Sequence, residues 1–219
     1  MVRALKSQRK GPEQARRAVV FLHGYGADGA DLLGLADVLA PHLPDTAFYA
    51  PDAPERCANN PYGYQWFPIP WLDGSTEEQA RASMALSIDD INAFLDKVLA
   101  DEGLTPEHLA VVGFSQGTMM ALHVLPRRDR AVACIVGFSG RLLEPELLET
   151  EAKTRPPVLL LHGDQDPMVP FADLGAAADA LAKAGFETYT HVMKGTGHGI
   201  SPDGLGAALQ FLTQHLKGQ

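Results

Sequence analysis

Apolar and polar positions along the chain fall into two alternating kinds of block. Ala18-Val19-Val20-Phe21-Leu22, Thr46 to Ala50, Leu109 to Val112, Val132 to Phe138 and Val158 to Leu161 are short continuous apolar runs. That is the pattern of strands covered on both faces. Between them, apolar residues recur at helical spacing: Leu32, Leu33, Leu35, Ala36 and Leu39; then Met84, Ile88, Ile91, Phe94, Leu95 and Val98; then Met120, Leu122 and Val124. Thr76 with Gln79 forms a capping-box pattern, and Ser201 followed by Pro202 opens a last helix. An Ala-rich helix from about Phe171 to Lys183 closes at Gly185, and Glu187 to Met193 alternates as a strand. Residues 51–75, with five prolines, and Arg141 to Glu151 read as irregular. Strands alternating with helices predict an α/β fold, a mostly parallel central sheet with helices on both faces. Residues 1–17 read as a basic N-terminal arm, and 18–219 as a single domain without a large separate cap.

Charge and cysteine content narrow the function classes. The net charge of −9 argues against a nucleic-acid surface and against electrostatic attachment to anionic lipid. No run approaches the roughly 18 apolar residues of a membrane span. The basic N-terminus has no apolar run behind it, so it does not read as a secretory signal. Two cysteines give no disulfide framework. Cys134 sits in an apolar run and Cys57 in a Pro-rich loop that could expose it. Together these features predict a cytoplasmic protein.

The chemistry gathers at loops that follow strands. Gly113-Phe114-Ser115-Gln116-Gly117 lies between an apolar run and a helical pattern. A Gly-x-Ser-x-Gly corner of this kind holds the serine in a strained turn with its hydroxyl above the sheet edge. The Gln116 N–H then stands at a helix N-terminus, where donors are free and negative charge is favoured. His23-Gly24-Tyr25, His162 to Pro170 and Gly197-His198 follow three other strands. The C-terminal ends of parallel strands share one edge, where ligands bind. Ser115 needs a base, His198 can supply it, and Asp166 can hold the imidazole tautomer. The N–H groups of Tyr25 and Gln116 are candidate oxyanion donors. Of eight histidines, only His198 sits at a Gly-flanked strand end beyond the acid; His23 and His162 close His-Gly turns and read as structural. Asp164 follows Gly163 and reads as a turn residue. Ser139, at another strand end, lacks a following helix pattern. No grouping has metal-ligand spacing, and no Gly-x-Gly-x-x-Gly opens a helix. The order Ser, Asp, His is that of the α/β-hydrolase fold.

The blocks Phe21 to Asp28, Trp66-Phe67, Gly113 to Gly117, His162 to Pro170 and Gly197-His198 together resemble the phospholipase/carboxylesterase family, the small α/β-hydrolases that include acyl-protein thioesterases. The resemblance runs from Ala18 to the last helix. It implies a triad of Ser115, Asp166 and His198, oxyanion donors from Tyr25 and Gln116, no metal and no cofactor, ester or thioester hydrolysis, and a homodimer. The family usually has leucine at Tyr25, aspartate at Pro68 and glycine at Thr118; these departures bear on the acyl pocket.

The expected activity is therefore that of a serine carboxylesterase on small-molecule esters of short to medium acyl chain. Acyl-protein thioesterase or lysophospholipase action is the enzymatic alternative. A catalytically silent binding protein of the same fold is the non-enzymatic one. Residues 51–75 hold five of the sixteen aromatics, among them Trp66, Phe67 and Trp71. Aromatic groups commonly wall ligand pockets, so these three are the expected substrate-binding residues.

Overall fold

Side-chain alternation divides the core into two layers. Ala18, Val20 and Leu22 join one apolar cluster, while Val19 and Phe21 join another. Val111 separates in the same way from Ala110 and Val112, and Leu160 from Leu159 and Leu161. Successive residues of a strand point to opposite faces, so a continuous apolar run is what a sheet covered on both sides requires. The structure is a computed structural model describing residues 1–217. Its strands are β1 (Ser7–Lys10), β2 (Arg17–Leu22), β3 (Thr46–Pro51), β4 (Glu55–Arg56), β5 (Tyr64–Gln65), β6 (Leu109–Phe114), β7 (Cys134–Phe138), β8 (Val158–Gly163) and β9 (Thr188–Met193). The helices are α1 (Gly29–Leu33), α2 (Leu35–Leu39), α3 (Pro70–Asp73), α4 (Glu77–Glu102), α5 (Gln116–Val124), α6 (Pro145–Glu151), α7 (Ala172–Lys183) and α8 (Pro202–His215).

Seven strands form the main sheet in the order β1-β3-β2-β6-β7-β8-β9. All pairings are parallel except β1 with β3. Helices α4, α5 and α7 cover one face through Phe94, Met120 and Leu181. Helices α1, α2 and α8 cover the other through Leu32, Leu39 and Phe211. The two predicted caps are present: Thr76 and Gln79 form a reciprocal box, and the Ser201 hydroxyl accepts from the Gly204 N–H. No separate cap domain stands over the sheet edge among the described residues.

Three expectations are corrected. The basic N-terminal segment, read as an arm, contains an edge strand, because Ser7–Lys10 pairs antiparallel with β3. All four of its side chains are exposed, so it carries no apolar period; backbone pairing with β3 and polar contacts, Arg9 with Glu102 and Lys10 with Asp37, define it. Arg3 anchors the segment, its N–H at 2.6 Å and Nε at 2.7 Å from the buried Asp90 carboxylate of α4. Arg141 to Glu151 contains α6, started by Pro145 at its first position and packed through Leu148. Residues 51–75 are not structureless: they hold the ribbon β4–β5 and the turn of α3, ended by Gly74 in the left-handed region.

Candidate active site

The corner between β6 and α5 is as sharp as the glycine spacing requires. Ser115 has φ 53° and ψ −116°, a strained conformation for a residue with a side chain. Its N–H is held by the Phe138 carbonyl at 2.8 Å, at the end of the neighbouring β7. A Cβ on Gly117 would lie 1.8 Å from the Leu22 carbonyl oxygen, and one on Gly113 2.5 Å from the Thr118 nitrogen. Only glycine lets α5 pass this close to β2. Ser139 also has a positive φ, 47°, but it is fully buried.

The turns after β8 and β9 bring an acid and a base together. Asp166 Oδ2 lies 2.7 Å from His198 Nδ1. Asp166 Oδ1 accepts the N–H groups of Met168 and Val169, at 2.8 and 3.0 Å. Burial of Asp166 opposes ionisation, but the bonds from His198, Val169 and Met168 outweigh it and hold the carboxyl below its ordinary value. An ionised acceptor puts the His198 proton on Nδ1 and leaves a lone pair on Nε2, the tautomer a general base needs. The His198 ring lies against Phe114, next to the serine, with ring centres 4.9 Å apart. Ser115 Oγ makes no hydrogen bond among the described residues. In unliganded enzymes the nucleophile–base contact is commonly loose and tightens in the complex. Asp164 is a turn residue, as its sequence setting indicates; its Oδ1 accepts the Gly195 N–H at 2.7 Å and ties down the loop that carries His198. His162, fully buried, donates from Nε2 to the Val169 carbonyl at 3.0 Å, bracing the acid turn.

A second histidine orders the loop after β2. His23 is fully buried; its Nε2 accepts the Ala53 N–H at 2.9 Å. Nδ1 must then carry the proton, which goes to the Gly24 carbonyl at 2.7 Å. Burial holds the His23 pKa below its ordinary value, and this keeps the ring neutral. The Tyr25 N–H, at the other end of the same peptide unit, has no partner among the described residues. The Gln116 N–H is a first-turn amide of α5, without an intrahelical acceptor. Two free donors thus stand beside the serine corner. The Tyr25 hydroxyl donates to Asp73 Oδ2 at 3.2 Å, linking this loop to α3.

The aromatic loop divides into a buried root and an exposed wall. Trp66 is fully buried and does not line a groove; its Nε1–H donates to the His23 carbonyl at 2.9 Å. Phe67 and Trp71 do line one, a hollow of about 370 Å³ shared with Ile69, Met84, Met119 and Val169. Trp71, 72% exposed, forms its rim. Met119 comes from the helix that follows Ser115 and Val169 from the turn that carries Asp166, so the groove adjoins both. A larger hollow of about 550 Å³, lined by Arg127, Arg128 and Lys153, lies beside residues that precede β6 and β7, far from the loops that carry Ser115 and His198. The Met84, Met119 and Val169 contributions were not legible beforehand, although Met119 stands one turn beyond Ser115. Cys57, in a loop that could expose it, is buried, as is Cys134, whose thiol is pushed up to about 12 by burial. No three His, Cys, Asp or Glu side chains among the described residues are grouped to hold a metal ion.

Comparison with known proteins identifies the family. A family model described as Phospholipase/Carboxylesterase matches residues 7–216. Acyl-protein thioesterase 1 of Saccharomyces cerevisiae is 30% identical over 217 residues, covering 93% of this chain and 95% of that protein. Esterase YpfH of Escherichia coli is 26% identical over 203 residues, covering 93% and 83%. Among solved structures, esterase PE8 superposes with a TM-score of 0.91 at 40% identity, covering 97% of this chain and all of that one. The chain is a member of the phospholipase/carboxylesterase family.

Proposed function

We propose that this protein is a serine carboxylesterase for esters of short to medium acyl chain. Ser115 is the nucleophile, His198 the general base and then acid, and Asp166 the group that holds the imidazole. The observation that carries this reading is the 2.7 Å contact between Asp166 Oδ2 and His198 Nδ1, with the His198 ring against Phe114, the residue before a serine in the strained corner conformation. Ser115 Oγ attacks the ester carbonyl carbon and its proton passes to His198 Nε2. The carbonyl oxygen, now negative, is taken by the N–H groups of Tyr25 and Gln116. Collapse of this intermediate expels the alcohol, which leaves with the proton from His198. Water, deprotonated by the same nitrogen, then attacks the acyl carbon; the bond to Ser115 Oγ breaks, the acid leaves and the serine takes the proton back from His198. The groove of Phe67, Ile69, Met84, Met119 and Trp71 receives the acyl chain, and each methylene it buries contributes about 0.8 kcal/mol.

Thioester hydrolysis is the second reading, favoured by the relatives named acyl-protein thioesterase 1. The same attack serves both, since only the leaving atom differs. Ser115→Ala abolishes hydrolysis of an activated ester and labelling by a fluorophosphonate while the melting temperature stays near wild type. Labelling that persists on another serine defeats the assignment. Matched acyl-ester and acyl-thioester panels, run on one enzyme preparation, decide between the two readings.

A further inference from the structure

Gln116 has a side chain as well as an N–H, and the side chain is buried in a place that an oxyanion donor does not require. Its Oε1 accepts the Trp66 N–H at 2.9 Å. Its Nε2 donates to the Phe67 carbonyl at 2.8 Å. The orientation follows from the partners, because only the amide oxygen can accept and only the amide nitrogen can donate. One side chain thus grips two consecutive residues as a neighbouring strand would. The backbone at Trp66 is held further by the Ser87 hydroxyl on its carbonyl, and its ring by the His23 carbonyl on Nε1. Of these holds, those made by Gln116 are the ones that come from the nucleophile's own helix. Phe67 opens the groove wall, and Met119, three residues beyond Gln116 on α5, lines the same groove.

We propose that the Gln116 side chain is a positioning residue for acyl-chain selection: through Phe67 it sets where the groove wall stands relative to Ser115. The inference rests on the ester-hydrolase reading and adds to it a physical link between chain binding and reaction. A wall fixed to the nucleophile's helix keeps the buried chain in register as the carbonyl carbon becomes tetrahedral. Chain burial then raises kcat as well as lowering KM. A wall free to move binds the chain without holding the carbonyl over the serine, and the gain is confined to KM.

The test is a series of 4-nitrophenyl esters from acetate to octanoate. In wild type, kcat/KM rises by about fourfold per methylene while the groove fills. Gln116→Met keeps the length of the side chain and the backbone N–H but removes both grips, and the octanoate-to-acetate ratio of kcat falls by at least about tenfold. Ratios cancel any loss common to both esters, so a variant that is only less stable leaves them unchanged. Gln116→Glu, which keeps the acceptor for Trp66 and loses the donor to Phe67, gives the same drop and serves where Gln116→Met does not fold. In a Phe67→Ala background either change adds little further loss, because the wall it acts through is gone. An unchanged ratio in Gln116→Met and Gln116→Glu overturns the proposal, as does an equal drop with and without Phe67. Hydrolysis retained by Ser115→Ala would instead defeat the underlying reading and this proposal with it.

Discussion

Under the proposed mechanism, His23 acts on a reaction it never touches. A peptide unit is planar, with its C=O and N–H pointing in opposite directions. Fixing the Gly24 oxygen at 2.7 Å from Nδ1 therefore aims the Tyr25 N–H. The Ala53 N–H on Nε2 selects the tautomer that makes this possible. His23→Phe keeps the ring but frees the peptide. Its kcat is expected to fall by about 10²–10³, the usual effect of losing one oxyanion donor, with KM little changed. The oxo-ester to thiono-ester rate ratio should collapse with it; a KM effect alone would assign the ring to packing. At the acid, Asp166→Asn should cost about 10⁴ in turnover by stabilising the wrong tautomer, as the same change does in a serine-protease triad. Asp164→Asn should leave kcat within about tenfold, since the one hydrogen bond of that side chain among the described residues is to the Gly195 amide. A larger loss at position 164 would reverse the two roles. These acids were separable in the sequence because Asp164 directly follows a glycine and Asp166 does not. The role of His23 was not, because a tautomer depends on partners distant in the chain.

Among elements, strands and helices buried on a whole face were legible and those defined by backbone pairing and polar contacts were not. Val158 to Leu161 announces a covered strand, whereas Ser7–Lys10 is all polar and becomes a strand where β3 offers it an edge and Arg9 meets Glu102. The meeting of Asp166 with His198, and of His198 with Phe114, was legible for a topological reason: each follows or ends a parallel strand, and those strands end on one edge. The aromatic loop misled in part, because composition marks Trp66, Phe67 and Trp71 alike while burial separates them. Trp66→Ala should destabilise the fold by about 3–5 kcal/mol, as for other fully buried large aromatics. Urea unfolding measures this, and a loss below about 1 kcal/mol would return Trp66 to the groove. Trp71→Ala, at the rim, should leave the unfolding midpoint in place and reduce kcat/KM for octanoate more than for acetate. Equal loss for both esters would remove it from the chain-binding surface.

Across the whole molecule, the buried histidines and carboxylates make stability depend on pH in one direction on the acid side. Burial first, and then the Arg127 charge, depress the pKa of His123 to about 4, and burial likewise depresses that of His23. In the unfolded chain both take up a proton near the free imidazole value of about 6.5. Below that pH the unfolded state binds protons that the folded state refuses, so stability falls as pH drops from about 6.5 toward 4. Each such group contributes a slope of at most about 1.4 kcal/mol per pH unit. Asp166, Asp73 and Glu102 have folded pKa values below the ordinary carboxylate range despite their burial, since hydrogen bonds outweigh it. Their contribution is present above the unfolded carboxylate value and is lost below about pH 4, extending the same decline. On the alkaline side the sign reverses in origin but not in effect. Burial raises the Cys134 thiol and the Tyr49 hydroxyl to about 12. Both therefore stay protonated in the fold after the unfolded chain has released those protons, and stability falls again above about pH 9. The melting temperature should form a plateau between about pH 6.5 and 8.5 with a descending limb on each side. His123→Leu should flatten the acid limb between pH 6.5 and 4, because its ring is buried and has no hydrogen bond on Nδ1 to lose. Calorimetry across that window checks the argument; an acid limb of unchanged slope in the variant would show that His123 does not carry it.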